Sequence, residues 1–239
     1  MRLVPKDVMR LSGRHDLSVG VVAAKLRGRL WSTRRSVAVS RDLQAAEHVL
    51  PLEGILVELV APDEFDELSL LVQQAGGVEY LYLRTIERAR LARAGALSVA
   101  RTVAGELVAF HFVYESSNHD VLESVAPHMY PVLPDDSVLT EGVYCLPAYR
   151  GQGLTSALLH ATGALLLERG KRRVRAYVDT SNVAALRMFN RTGYLPTGEE
   201  RVVRYRVGRL STRFRDITSL TLAEWEAAVG ESHAEHAGG

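Results

Sequence analysis

The clearest pattern in the chain is a β-branched and aromatic run, followed by a glycine-rich turn and an amphipathic segment. The run covers residues 137–146 and ends at Pro147, which has no N–H to donate to a strand ladder. From Leu154 onward, apolar residues recur at positions 154, 158, 161 and 165, the spacing of one buried helix face. The pattern therefore predicts a strand, a turn with the sequence Arg-Gly-Gln-Gly over 150–153, and a helix.

Similar patterns predict the elements on both sides of this unit. A strand is expected over 173–178, and a helix is expected to follow Asn182, whose side chain suits an N-cap. Apolar runs bounded by turn residues predict further strands over 54–60, 97–103, 106–114, 197–207 and 209–217. Helices are expected from Pro62 and over 82–94, and residues 115–136, with three prolines, are predicted to form a long irregular loop. Mixed strands and helices of this kind indicate an α/β (α+β) fold with a mixed central sheet flanked by helices.

The two ends of the chain are predicted to be additions to a central domain. Residues 1–52 predict a helix from Asp16 or Ser18 through Trp31 and a short strand over 36–40, as an extension packed on the core. The core domain is expected to span 53–218. Residues 219–239 are expected to hold a short helix, capped by Thr221 and Glu224, and a disordered tail.

Composition narrows the class of protein. The chain has 239 residues, of which 47% are hydrophobic and 24% charged, and its formal net charge is +1. Bulk charge therefore recruits neither nucleic acid nor a membrane surface. The single cysteine, Cys145, excludes an intrachain disulfide and a multi-cysteine zinc site, and no apolar run approaches the ~20 residues of a membrane span. We expect a cytoplasmic protein with neither nucleic-acid nor membrane partner.

The turn before the predicted helix suits an anionic ligand. Glycines let the main chain approach a ligand closely, and a helix start offers unpaired N–H groups with a partial positive charge. A phosphate or diphosphate fits such a site best. The chain has neither the Walker nor the dinucleotide glycine pattern, and an ordinary strand-to-helix turn is the alternative.

Three histidines raise the question of a metal site. His111, His119 and His128 have neither the i, i+4 spacing nor the H-E-x-x-H pattern of helical zinc sites, so no metal is expected. His111 falls within a predicted strand. It is expected either to be a satisfied core residue or to contact a substrate.

Two blocks of the sequence resemble the GNAT acetyltransferase superfamily. Its acyl-CoA loop, Arg/Gln-x-x-Gly-x-Gly/Ala, is matched by Arg150 and Gly153, whereas Thr155 departs from the pattern. Its following block, Asn-x-x-Ala-x-x-x-Tyr-x-x-x-Gly-Phe, is matched by the residues Asn182, Ala185, Phe189, Gly193 and Tyr194. The resemblance is closest over about 137–195 and extends over about 53–217, where it implies a GNAT-like sheet with the order β-α-α-β-β-β-α-β-α-β-β.

The resemblance implies an acyl-CoA donor, most simply acetyl-CoA. Its diphosphate would lie on the N–H groups of five successive residues, Gly151, Gln152, Gly153, Leu154 and Thr155. Arg150 would add a charge-assisted bond, or else is a surface arginine. Main-chain groups of Cys145 would bind pantetheine, and Asn182 and Phe189 would also contact the donor. The Cys145 thiol itself is expected to be a small buried group without a nucleophilic role.

The implied catalytic residues lie on the strand before the turn. The Val143 N–H would face the thioester oxygen, and Glu141, at equal strand parity with Val143, is the candidate base or amine anchor. The alternative for Glu141 is a solvated carboxylate. Phe189 replaces the tyrosine that often protonates the leaving thiolate in this family, so Tyr144, Tyr149 or Tyr177 would serve instead, or the thiolate leaves unaided. His111, Glu141 and Tyr177 are the expected acceptor contacts.

The resemblance thus implies a GNAT-type N-acetyltransferase that acts by direct attack in a ternary complex. The expected acceptor is a primary amine of a small metabolite or an amino-acid-like molecule. Two alternatives stay open: acetylation of a protein N-terminus or lysine, and an acyl-CoA-binding module with little turnover. Family dimers are common, so a homodimer is compatible with the resemblance, but no stretch of the sequence declares an interface.

Overall fold

A single eight-stranded sheet organises the protein. The computed structural model describes residues 31–45, 53–75, 83, 86–87, 89–206 and 209–236. The strands are β1 (Trp31–Asp42), β2 (Ile55–Val60), β3 (Ala96–Thr102), β4 (Leu107–Tyr114), β5 (Ser137–Cys145), β6 (Arg173–Asp179), β7 (Leu195–Arg206) and β8 (Arg209–Asp216). Their spatial order is β2-β3-β4-β5-β6-β1-β7-β8, and β5 and β6 form the one parallel pair among these strands.

Helices cover both faces of the sheet. The helices are α1 (Glu67–Gln74), α2 (His119–Val125), α3 (Leu154–Glu168), α4 (Val183–Arg191) and α5 (Ser219–His236), and residues 83, 86–87 and 89–91 are also helical. We call the side that carries α1, α2 and the described helical residues 83, 86–87 and 89–91 the α1 face, and the side that carries α3, α4 and α5 the α3 face. Each face buries its own apolar cluster, with Phe110 and Phe112 on the α1 face and Leu159 and Leu186 on the α3 face.

The predicted mixed α/β fold is confirmed, with one added helix. From β2 onward the elements follow the expected order, except that α2 lies within residues 115–136, which were predicted to be irregular. That prediction was wrong because prolines at 127, 131 and 134 exclude a helix only around themselves, and His119–Val125 precedes them.

Strand β1 is an interior strand rather than an outlying one. The predicted strand over 36–40 lies within β1, which pairs with β6 on one side and with β7 on the other. Val37 and Val39 are fully buried, since both faces of an interior strand are covered. Trp31 opens this strand, so the helix predicted through Trp31 does not include it; the rest of that predicted helix lies outside the described residues. The predicted domain boundary after residue 52 stays a prediction.

The last helix begins earlier and ends later than predicted. Thr218, rather than Thr221, caps α5, because its Oγ1 accepts from the Thr221 N–H at 3.3 Å. The Thr221 hydroxyl donates to the buried carboxylate of Glu200, and Glu224 instead binds Arg35 at 2.7 Å. The helix continues to His236 and is therefore longer than the short helix expected, and the disordered tail stays a prediction.

The buried face of α3 differs from the predicted stripe. Leu154 and Leu158 are buried as expected, but the stripe continues through Thr162 and Leu166 instead of positions 161 and 165. The hydropathy pattern did not predict this face because one of its buried residues, Thr162, is polar. This threonine is tolerated there because the hydroxyls of Thr162 and Ser98 lie 2.6 Å apart across the interface between α3 and β3.

Candidate active site

The turn between β5 and α3 has the geometry of an anion site. After a 3₁₀ turn at Pro147–Tyr149, the chain passes through Gly151 (φ 79°) and Gly153 (φ 75°), which is the N-cap of α3. Both glycines occupy the left-handed region, where other residues are strained. The first N–H groups of an α-helix have no acceptor within the helix, and Gly153 has no side chain to cap those of α3.

The space beside the two glycines is open. A Cβ atom built at Gly151 or Gly153 would have no heavy atom within 4 Å beyond the chain neighbours. A ligand can therefore approach the main chain of this turn directly, as a phosphate group requires. The residues present thus fit the diphosphate that the sequence predicts at Gly151–Thr155.

A gap opens between β5 and β6 next to this turn. The two strands pair over only four residues each, Ser137–Thr140 with Arg173–Ala176. Beyond this point β5 continues to pair with β4, while β6 continues to pair with β1, so the neighbouring edges separate. Leu146 N–H donates to the Val108 carbonyl on β4 at 3.0 Å, so strand alternation turns the main-chain groups of Cys145 toward the gap.

A β-bulge in β5, next to this gap, determines which of its side chains lie on the α1 face and which lie on the α3 face. Phe110 pairs with Tyr144 and Phe112 with Glu141, so Gly142 and Val143 together oppose the single residue His111. Gly142 has φ of 66°, and the extra residue reverses the alternation of side chains after it. Tyr144 consequently belongs to the apolar cluster of the α1 face and Val143 packs on that of the α3 face. The predicted equal parity of Glu141 and Val143 is therefore wrong.

Four polar side chains meet on the α1 face beside the gap, and we call them the acid–arginine cluster: Glu141, Tyr177, Glu199 and Arg201. Arg201 Nη1 donates to Glu141 Oε1 at 2.9 Å, and its guanidinium lies 4.7 Å from the centroid of the Tyr177 ring. The Tyr177 hydroxyl donates to the Glu199 carboxylate. Burial and this carboxylate raise the pKa of Tyr177.

Sequence reasoning found half of this cluster. Glu141 and Tyr177 were predicted to contact the acceptor, and they lie on the same face. Glu199 and Arg201 were missed because they belong to β7, which is separated from β6 by β1. The approach of Glu199 and Arg201 to Glu141 and Tyr177 depends on the order of strands in the sheet, which no local motif predicts.

Comparisons with known proteins agree with this geometry. The model of the acetyltransferase (GNAT) family matches residues 76–194, which include the β5–α3 turn and Asn182. Residues 76–194 therefore belong to the GNAT acetyltransferase family. A comparison with curated protein sequences gave no match.

Solved structures show the same fold at low sequence identity. A GCN5-related glucosamine N-acetyltransferase region of a fungal multi-domain β-N-acetylglucosaminidase is 19% identical over 80% of this chain and 22% of that chain, with a TM-score of 0.52. A conserved protein of unknown function from Staphylococcus epidermidis is 13% identical over 78% of this chain and 67% of that one, with the same TM-score. A GCN5-related N-acetyltransferase from Kribbella flavida is 16% identical over 77% and 63%, with a TM-score of 0.48. The chain thus spans less than two thirds of the fungal and Kribbella proteins.

His111 does not reach the acid–arginine cluster of this GNAT domain. Its side chain is fully buried on the α3 face, where Nδ1 donates to the Phe112 carbonyl at 3.1 Å and Nε2 lies 3.0 Å from Thr162 Oγ1. Burial lowers the pKa of His111 to about 4, so the ring is neutral at pH 7. The structure contradicts the predicted acceptor contact, and His111 takes the alternative role of a satisfied core residue.

The second GNAT block forms the expected helix start. Asn182 Oδ1 accepts from the Ala185 N–H at 3.2 Å, which confirms the predicted N-cap of α4. Phe189 is buried on the α3 face, with its ring 4.9 Å from that of Tyr194 in an edge-on contact. It supplies packing and no ionisable group. The contacts of Asn182 and Phe189 with a donor stay predictions.

Tyr144 and Arg150 lie together at the turn. Tyr144 is buried on the α1 face, and the Arg150 guanidinium lies 5.6 Å from its ring centroid. Arg150 Nε also donates to the Cys145 carbonyl at 3.0 Å. The predicted role of Tyr144 as proton donor stays a prediction, as does a phosphate contact of Arg150.

The Cys145 thiol is a poor nucleophile in this setting. Burial raises its pKa, and the opposing effects of the Thr155 hydroxyl and the Arg150 charge do not overcome it. The neutral thiol therefore predominates at pH 7.

Two surface cavities flank the α4 end of the sheet. One, of about 410 Å³, lies between Arg35, Glu224 and the Asp179–Ser181 turn that precedes Asn182. The other, of about 600 Å³, lies beside Arg41, His160 and Gly193. Neither is lined by the residues of the β5–α3 turn.

The described residues hold no group of three or more histidine, cysteine or acidic side chains arranged to bind a metal ion. Within the same ranges, no helix is long and apolar enough to cross a membrane.

Proposed function

We propose that this GNAT domain transfers an acetyl or short acyl group from acyl-CoA to a primary amine of a small acceptor. The observation that carries the proposal is the open, left-handed Gly151/Gly153 turn at the N-terminus of α3, placed beside the gap between β5 and β6. A turn that binds a diphosphate and a strand edge that binds an extended chain are the two sites that coenzyme A requires.

The donor side of the site is formed by main-chain groups. The N–H groups of Gly151 to Thr155 bind the diphosphate, aided by the positive end of the α3 dipole. The main chain of Cys145, turned toward the gap, binds the pantetheine amides. The carrier supplies an acyl group activated as a thioester. The N–H of Val143 orients the acyl carbonyl and stabilises charge that develops on its oxygen.

The acceptor side lies on the α1 face. An alkylamine with a pKa of ~10 is about a thousandfold protonated at pH 7, which costs roughly 4 kcal/mol before it can attack. Glu141 lies at the first position of β5 beyond its pairing with β6, where a carboxylate can hold the ammonium group and take up its proton. Tyr144, on the same face, is the proposed proton donor to the departing thiolate.

A second candidate function is acyl-CoA binding without efficient turnover. Phe189 favours it, because the buried ring leaves the position without a proton donor. Thr155 favours the same function, because it is larger than the Gly or Ala of the family pattern and narrows the turn.

Two measurements on the purified protein test these functions. Calorimetry with coenzyme A should show binding that Gly153→Val weakens while far-UV circular dichroism is retained. Chromatographic detection of acylated amines should show transfer from acetyl-CoA to members of a panel of small amines. Binding without transfer to any amine would favour the binding module, and absence of binding would overturn both functions.

A further inference from the structure

Small side chains of β1 lie beside the acid–arginine cluster on the α1 face. On β1, Ala38 belongs to the apolar cluster of this face, and strand alternation places Ser36 and Ser40 on the same face. In the register of the sheet, Ala38 lies opposite Tyr177 on β6 and Ser36 lies opposite Arg201 on β7. Ser36 and Ala38 are both buried beneath this part of the α1 face.

Arg201 has one buried guanidinium N–H without a hydrogen-bond acceptor. Its side chain is only 9% exposed, and Nη1 donates both to Glu141 and to the Met129 carbonyl, the latter at 3.2 Å. Its Nε atom is buried and has no partner. A buried guanidinium N–H without an acceptor is costly, and an added carboxylate would satisfy it.

A second arginine lies near the same tyrosine. Arg175 shares strand parity with Tyr177 on β6, its charge acts on the Tyr177 hydroxyl, and its Nε atom is also buried without a partner. The charged groups around Tyr177 are thus two guanidiniums, Arg175 and Arg201, and two carboxylates, Glu141 and Glu199. A ligand that carries one positive and one negative group preserves this balance.

The positions of the charges fix the orientation of such a ligand. Glu141 is at the mouth of the gap between β5 and β6, whereas the Arg201 guanidinium lies above the Tyr177 ring. An ammonium group at Glu141 therefore lies next to the donor, and a carboxylate at Arg201 lies farther from it. The two arginines would repel a polycationic amine. An amino sugar without a carboxylate would leave the N–H groups of the arginines without acceptors.

The geometry points to an acceptor that carries a carboxylate as well as its amine, an amino-acid type of molecule, with Arg201 as the residue that binds the carboxylate. This inference rests on the proposed function and assigns the substrate class of that site. In the complex, the Glu141–Arg201 pair separates, each partner exchanging the other for the oppositely charged group of the acceptor.

The kinetic experiment compares amino acids with their carboxamides as acceptors of acetyl groups. The wild-type protein should favour the acid by about 10- to 100-fold in kcat/KM, the difference expected for a charge-assisted hydrogen bond. Arg201→Gln should remove this preference through a higher KM for the acid, and Arg201→Lys should restore part of it. Arg213→Gln, which changes an exposed arginine on the neighbouring strand β8, should leave the preference intact.

A binding experiment separates this inference from the proposed function. Calorimetry with coenzyme A present compares N-acetylglycine and N-acetylglutamate with their carboxamides, and it requires no turnover. Tighter binding of the carboxylates, lost in Arg201→Gln, would support the subsite even if transfer were undetectable. Equal binding of acid and amide, or a preference that survives Arg201→Gln, would overturn it while leaving acyl transfer to other amines intact.

Discussion

The Nε atom of Arg150 donates a 3.0 Å hydrogen bond to the carbonyl oxygen of Cys145, and this bond closes the turn that leads into α3. The two residues lie on either side of the Pro147–Tyr149 turn, so the bond fixes the path of the main chain between strand and helix. Arg150, whose charge was predicted to contact a phosphate, thus also positions the turn.

Arg150→Lys tests which of these roles matters. Lysine keeps the charge but replaces the planar Nε–H donor with a flexible ammonium group, so the turn should loosen. We expect coenzyme A affinity to fall about tenfold by calorimetry, the effect of one charge-assisted hydrogen bond. Affinity equal to that of the wild-type protein would indicate that only the charge of Arg150 matters.

Gly153→Ala should lower the affinity for coenzyme A by more than its loss of unfolding free energy alone would suggest. The new Cβ meets no atom, so the cost is the strain of φ at 75°, about 1–2 kcal/mol, together with a reoriented turn. Gly170→Ala is a matched control, because Gly170 has φ of 79°, equally open space and a position beyond the other end of α3. Both variants should lose similar unfolding free energy in urea, and only Gly153→Ala should lose coenzyme A affinity. Equal affinities would remove the turn from the donor site.

Asn182 allows the cap of α4 to be separated from a donor contact. Asn182→Ala should cost about 1 kcal/mol of unfolding free energy, because the Ala185 N–H loses its acceptor. Asn182→Asp should retain that stability, since a carboxylate caps equally well. If the amide of Asn182 contacts the donor, both variants should bind coenzyme A more weakly. Wild-type affinity in Asn182→Asp would limit Asn182 to its capping role.

His111 should make the stability of the fold depend on pH. Because burial lowers its pKa to about 4, the folded protein resists a proton that the unfolded chain accepts at about 6.5. The neutral histidine thus stabilises the fold fully above pH 6.5, and this contribution declines by about 3 kcal/mol as the pH falls to about 4.

Denaturant titrations at pH 7 and pH 4.5 measure this effect. His111→Gln should lower stability at pH 7, because glutamine fills the cavity less well, and should show a smaller decline toward pH 4.5. His128→Asn is the control, since this side chain is 82% exposed and asparagine tolerates its φ of 60°. An unchanged pH dependence in His111→Gln would mean that another group is responsible.

Local sequence predicted the strand end, the turn and the helix cap that surround the proposed donor site. Pro147 ends β5, the glycines supply the left-handed turn, and Asn182 caps α4, because each of these roles depends on a few neighbouring atoms. The strands and helices of the core were found for the same reason, since their periodicity records which face each element buries.

The geometry of the proposed acceptor side depended on long-range contacts. The bulge at Gly142 reversed the side-chain alternation that placed Glu141 with Val143, and no sequence pattern marks where one strand gains a residue against its neighbour. His111 was assigned to the site because a strand pattern shows alternation but not which face lies under α3.

By itself, the sequence determined most strands and helices of the core, the glycine-rich turn and the family resemblance, because these depend on short-range geometry and local spacing. It did not predict α2 or the start of β1 at Trp31. Only the tertiary structure decided that β1 lies between β6 and β7 and that Arg201 reaches over Tyr177 to Glu141. The order of the strands brings together Glu141 and Arg201, which are 60 positions apart in the sequence. This order depends on the cooperative packing of the whole sheet. That packing energy is shared among many side chains, so no single segment of the chain encodes it.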